Sequence, residues 1–273
     1  MIRRSVALSL LLAAPAAAQD APPAPEALLE ALQLDRVVSL MREEGVEQGL
    51  ALADDLFPGQ GGAGWRLSVE RVYDEDAMRE RLVEGVSGAL EGQDVDAMAD
   101  FFASPRGERI VELELSAREA MAEQGVEEAA LAAWSLLPEE DPERAERIGR
   151  FIDANGLVEE NVEGALNANL AFMRGLNEGG AFPEPLPEAD LLADVWSAEP
   201  EIRAEMEGWL GAFLSLAYEP LEDADLDAYI AFSDTDEGQA LNRALFEGFD
   251  AMYEGMSFEL GRAAASQMVG RDI

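Results

Sequence analysis

The side chains of this chain most suggestive of chemistry are four aspartates near the C-terminus. Asp223, Asp225 and Asp227 alternate with other residues, and Asp234 follows at the twelfth position of the same count. Calcium-binding loops place oxygen ligands at the first, third, fifth and twelfth positions. Two substitutions speak against such a loop. Ala228 stands where glycine makes the turn, and the last ligand is Asp where the longer Glu is usual. Leu226, Tyr229 and Ile230 read instead as a helix starting at Asp225, with acids on its positive end. Helix capping is the favoured expectation and a cation site the alternative, so the question of a metal site stays open.

Other chemistry is narrowed by what is missing. The chain has no cysteine, no histidine and no lysine, so every basic residue is arginine. Thiolate metal sites, cysteine nucleophiles and histidine bases are therefore excluded. Ser104 and Thr235 have no base to activate them and read as helix caps. A pair of carboxylates could still act as acid and base, for instance on glycans. Among 57 acidic residues no pair stands out, so no catalytic or cofactor-binding residue is assigned. The four tryptophans, Trp65, Trp134, Trp196 and Trp209, are expected mostly in the core.

The elements that carry these residues are written twice. LEGQDVDAMADFFASPRG from Leu90 returns as LEDADLDAYIAFSDTDEG from Leu221, 131 positions later. Leu90, Glu91, Asp94, Asp96, Ala97, Phe101 and Gly107 match Leu221, Glu222, Asp225, Asp227, Ala228, Phe232 and Gly238. The same register pairs Trp65 with Trp196 and Met121 with Met252. Upstream the offset is 111, matching Val37, Leu40, Met41, Gly45 and Val46 to Ile148, Phe151, Ile152, Gly156 and Leu157. The second copy has thus gained 20 residues, expected mostly in the Gly/Pro-rich stretch Gly179 to Pro187.

Periodicity is helical throughout. Leu28, Leu29, Leu32, Val37, Leu40 and Met41 recur at helical spacing, with Gly45 as an expected stop and a second helix running to about Phe57. Asp94 is placed to cap a short helix carrying Val95, Met98, Ala99 and Phe102 on one face. Ser104-Pro105 opens the next, whose inward stripe is Ile110, Leu113, Ala117 and Met121. It is expected to run on toward Leu137. The recurrence of Gly107 and Gly238 inside first turns, where glycine is locally unfavourable, points to close backbone packing. The last helix, from Thr235, is greasier than its counterpart, with Leu245, Phe246 and Phe249 for Glu114, Leu115 and Arg118. It is expected to sit centrally or at an interface. No stretch alternates like a strand. The expectation is an all-α protein of two tandem helical bundles, each of four or five helices, packed face to face through their long final helices.

Arg3 and Arg4, the apolar run Val6 to Ala14 and the small residues Ala16-Ala17-Ala18 read as a secretory signal peptide cut after about Ala18. The run is shorter than the roughly 20 residues that span a bilayer. The expected divisions are a signal peptide over 1–18, a linker over 19–25, and a first repeat over 26–137. An acidic proline linker over 138–142 and a second repeat over 143–268 follow. A periplasmic or secreted address is implied. Loss of Arg3 and Arg4 would move the formal charge from −38 to −40. Such a surface repels nucleic acid and suits solubility, with weak Ca2+ binding or a basic protein partner as further expectations.

The segment from Met41 to Gln124 resembles the secreted bacterial family catalogued as domain of unknown function 2059. The resemblance rests on Glu44-Gly45-Val46, on "DVDAMADFFASPRGERI", and on Phe101, Phe102, Ser104, Pro105 and Gly107. In the second half Phe232, Thr235 and Gly238 keep the pattern, while Asp236 replaces Pro105. The resemblance implies a helical, exported protein and no established catalytic residues. The reading is of a non-catalytic binding or interaction module, with a carboxylate hydrolase or lyase and a divalent-cation binder as alternatives.

Overall fold

The computed structural model describes residues 24–59, 61–123 and 125–269. The signal peptide over 1–18 lies outside them, as does most of the stretch over 19–25. Among the described residues the chain is entirely helical, as expected. The first six helices are α1 (Ala24–Ala31), α2 (Leu34–Leu56), α3 (Ala63–Val72), α4 (Glu75–Ala89), α5 (Val95–Phe102) and α6 (Pro105–Met121). Then come α7 (Val126–Glu140), α8 (Pro142–Ala154), α9 (Leu157–Glu178) and α10 (Glu188–Ser197). The last are α11 (Glu199–Tyr218), α12 (Asp223–Ser233) and the 34-residue α13 (Asp236–Val269). No helix among the described residues is long and apolar enough to cross a membrane.

Several starts follow the capping chemistry of the sequence. Asp94 accepts a hydrogen bond from the Ala97 backbone N–H at 3.2 Å and opens α5. Ser104 accepts from Gly107 at 3.1 Å with Pro105 in the first turn of α6, and Thr235 accepts from Gly238 at 3.0 Å. Asp141 caps α8 through Arg144 N–H. Each cap satisfies a donor that the helix itself leaves orphaned.

Other boundaries differ. Gly45 does not stop a helix: α2 runs through it for 23 residues. A Cβ there would lie 2.2 Å from the Tyr73 ring, so the glycine admits a neighbour rather than ending a turn. The helix after Ser104 ends at Met121 and another starts at Val126, just after Gly125 takes a left-handed φ of 85°. The linker expected over 138–142 is largely helix. Pro142 lies in the first turn of α8, where a missing N–H costs little, whereas Pro138 lies inside the last turn of α7 and gives up one intrahelical hydrogen bond. Ala24 and Pro25, assigned to the mobile linker, begin α1.

The core is centred on α13. Leu241, Ala244, Gly248, Met252, Met256, Leu260 and Ala264 bury one stripe of it. α13 lies along α9 on one side and α4 on the other, while α11 lies on α6. The glycines let backbones meet. A Cβ at Gly175 would sit 2.2 Å from the Phe258 carbonyl, and one at Gly261 equally near the Phe172 carbonyl. Gly85 likewise faces Gly248, at 2.8 Å.

The helices of the two copies share their cores. The largest apolar cluster joins Leu28, Trp65, Leu82, Val86, Met98 and Val111 to Leu176, Leu241, Met252 and Leu260. A second joins Ile110 and Leu113 of α6 to Ile148, Phe151, Tyr218 and Leu226. The long helices α6 and α13 are each covered by a helix from the other part of the chain. The repeated segments do meet: Phe101 and Phe232 stack face to face, with centroids 4.1 Å apart and planes 12° apart. The register fails at the tryptophans. Trp65 is 1% exposed and donates to the Gly49 carbonyl, whereas Trp196 is 60% exposed. The reason is phase. Trp65 lies in the first turn of α3 facing α2, and Trp196 lies in the last turn of α10, off the face that buries Leu191 and Val195.

Candidate functional site

The aspartates of the calcium-like pattern lie along a helix, not around a loop. α12 begins at Asp223, two residues before the expected start, and its N-cap, Glu222, makes no side-chain bond. Asp234 caps the far end, about 16 Å along the axis from Asp223. The three other carboxylates meet arginines. Arg144 bridges to Asp223 at 2.6 Å, Arg147 to Asp223 and Asp227 at 2.9 and 3.3 Å, and Arg150 to Asp227 at 3.1 Å. Arg106 holds Asp225 at 2.7 Å. Arginines at every third residue of α8 thus meet aspartates four apart on α12. Among the described residues, no group of three or more acidic side chains is arranged to hold a metal ion.

Ser104 and Thr235 serve as caps. Gly107 and Gly238 make the close approach that their recurrence pointed to. A Cβ on either would lie 2.3 or 2.1 Å from the carbonyl of Phe101 or Phe232, at the end of the preceding helix. Of the tryptophans, Trp65 alone is buried in the core. Trp209 stacks on Phe213 at 5.1 Å.

One carboxylate the sequence did not single out is Glu114, on the partly buried side of α6. The Tyr218 hydroxyl donates to it at 2.6 Å. Burial pushes the Glu114 carboxyl up to about 7, against the pull of that hydrogen bond. Burial, then the nearby Glu114, holds Tyr218 well above its ordinary value. The group sits within the second apolar cluster and joins α6 to α11.

A cleft of about 1130 Å³ opens among these helices, slightly above the roughly 300–1,000 Å³ usual for small-molecule pockets. Its walls come from α2, α6, α7, α9, α11 and α13. Leu245, Phe246, Phe249 and Tyr253 form the α13 wall, facing Trp209 and Met206 of α11 and Leu157 of α9. These α13 residues are only partly buried. The wide apolar face noted in the sequence is covered by protein on one side and opens into this cleft on the other.

The walls also carry polar groups, mostly amides and carboxylates. Arg118 is held by Glu44 through two hydrogen bonds of 3.0 and 2.7 Å. Asp250 has no such partner among the described residues. Burial, with Glu160, Glu254 and Glu163 nearby, pushes its carboxyl up to about 6. Gly164 lies against it, where a Cβ would come within 2.6 Å of Oδ1. Nothing in the apolar periodicity marked this site, because it is made where six helices fail to close. The surplus of aromatic residues on α13 was its one trace in the sequence.

No family model, curated protein or solved structure matches this chain.

Proposed function

We propose that the chain is an exported, non-catalytic binding module and that the central cleft holds its ligand. The observation that carries this reading is the cleft itself. Aromatic and aliphatic side chains of α13, α11 and α9 are left facing open space where the rest of the core is closed. Leaving apolar surface in a concavity costs hydrophobic stabilisation, which a ligand with an apolar body would restore. The lack of histidine, cysteine and lysine fits a role without covalent or imidazole chemistry. The N-terminal sequence and the resemblance to the exported helical family catalogued as domain of unknown function 2059 support a periplasmic or secreted address.

The test is native mass spectrometry of the gently purified chain, compared with an Ala168→Trp variant that fills the cleft. A retained small molecule, lost from the variant, is expected. Identical spectra with no bound species, together with no binding of any apolar probe, would sink the reading.

A second reading is favoured by Asp250 and Glu160, two carboxylates in one concave site. A carboxyl titrating near 6 suits a general acid, as in a glycan hydrolase or lyase. Turnover of a glycan substrate, abolished in both Asp250→Asn and Glu160→Gln, would establish it over the first.

A further inference from the structure

We propose that the cleft selects a cationic amphiphile: a molecule with an apolar body that packs on Phe246, Phe249 and Trp209, and one positive charge seated at Asp250. The inference rests on the binding reading above and deepens it.

Three observations carry it. The first is charge. Glu127, Glu160, Glu205 and Asp250 line the cleft, against a single basic residue, Arg118, whose guanidinium is committed to Glu44. The second is the comparison between the repeated segments. The residue 131 positions before Asp250 is Glu119, which Arg36 neutralises at 2.8 Å. The residue 111 positions after Arg36 is Arg147, and it is spent on Asp223 and Asp227. At the matched position on α6 the carboxylate is paired with an arginine, whereas the arginine at the matched position in the second part of the chain pairs elsewhere and not with Asp250. The third is space. Gly164 leaves the room that Asp250 occupies, and a side chain there would strike the carboxylate.

A partly buried carboxylate among like charges is held at a cost, because burial and repulsion both disfavour its ionised form. A bound cation would remove both penalties. Phe249 and Tyr253 line the same cleft, and aromatic rings attract a quaternary ammonium group. Facing Asp250 are Glu160 and Glu163 from α9 and Glu254 from α13; Arg118 of α6 and Glu127 of α7 lie farther around the cleft wall.

The experiment is calorimetric titration of the full chain with three eight-carbon probes: octyltrimethylammonium, octanol and octanesulfonate. Their charges are fixed, so pH changes act on the protein. The cation is expected to bind roughly tenfold tighter than octanol, with octanesulfonate weakest. Its affinity should fall as pH drops through about 6, where Asp250 takes up a proton. Asp250→Asn should abolish the preference and flatten the pH profile. That substitution removes a repelled charge, so the variant is expected to fold.

Equal affinity for all three probes, unaffected by Asp250→Asn, would overturn the cation selectivity and leave an apolar site standing. Cation binding that survives Ala168→Trp, or Ala204→Trp at the exposed rim, would mean adsorption to the acidic surface and would also overturn it. Absence of binding by any probe would remove the cleft reading together with this inference.

Discussion

Gly107 and Gly238 place a sharp demand on the chain at single positions. Each lies one turn past a hydroxyl cap, with the preceding helix end about 2 Å from where its Cβ would be. Alanine normally stabilises a helix interior by up to about 1 kcal/mol relative to glycine. Here overpacking of about 1–3 kcal/mol opposes it, so Gly107→Ala and Gly238→Ala should each lower the urea midpoint. A rise in midpoint would show that the helix ends can part. These positions were legible because the glycine recurred where propensity disfavours it. Glu114 was not legible, because nothing in a linear sequence says which of many acids will be buried. Its carboxyl is raised from 4.5 to about 7. Its contribution to stability is therefore complete below about pH 4.5 and is lost as pH rises through 7. Glu114→Gln should raise stability at about pH 8, by on the order of 2 kcal/mol after allowing for partial solvent exposure, and change little at about pH 4. Chemical denaturation at the two pH values checks this; an equal shift at both would refute the buried-acid account.

Helices α8 and α12 show how a motif is decided by its element. The aspartate spacing that resembles a cation loop becomes, once helical, a comb facing Arg144, Arg147 and Arg150. A calcium titration should accordingly give only weak heat that fades with added salt, since diffuse surface attraction is screened. Saturable micromolar binding, lost in Asp223→Asn, would restore the loop. Arg147→Ala removes two ion pairs, and should cost about 1 kcal/mol or less because the aspartates are largely exposed. Breaks between elements were read less well than their caps. A cap announces itself by a side chain, as at Asp94, Ser104 and Asp141. Gly45 and Pro138 look like breaks but are tolerated, one beneath Tyr73 and the other in a final turn.

At the scale of the molecule, the apolar stripes foretold helices and a central α13, but not which stripes would meet. Periodicity says that a face is buried without naming its cover. The repeat suggested two bundles packed face to face through their long final helices. In the structure α4 lies on α13 and α11 on α6, so residues 24–137 expressed alone lack the partner of Leu82, Val86 and Gly85. That fragment is expected to show no cooperative thermal transition by circular dichroism. A sharp transition would mean that the first copy closes its own core. The cleft escaped notice for the related reason that it is a place where faces do not meet.

The Gly85–Gly248 crossing has a consequence for how the molecule comes into being. Its two sides are 163 positions apart in the chain, and contacts between such distant segments form slowly, because the loop between them must first be closed. Translation delivers α3 and α4 early and α13 last. The nascent chain must therefore carry sticky, half-dressed helices until its final segment threads between α4 and α9, a keystone set after the arch has been raised.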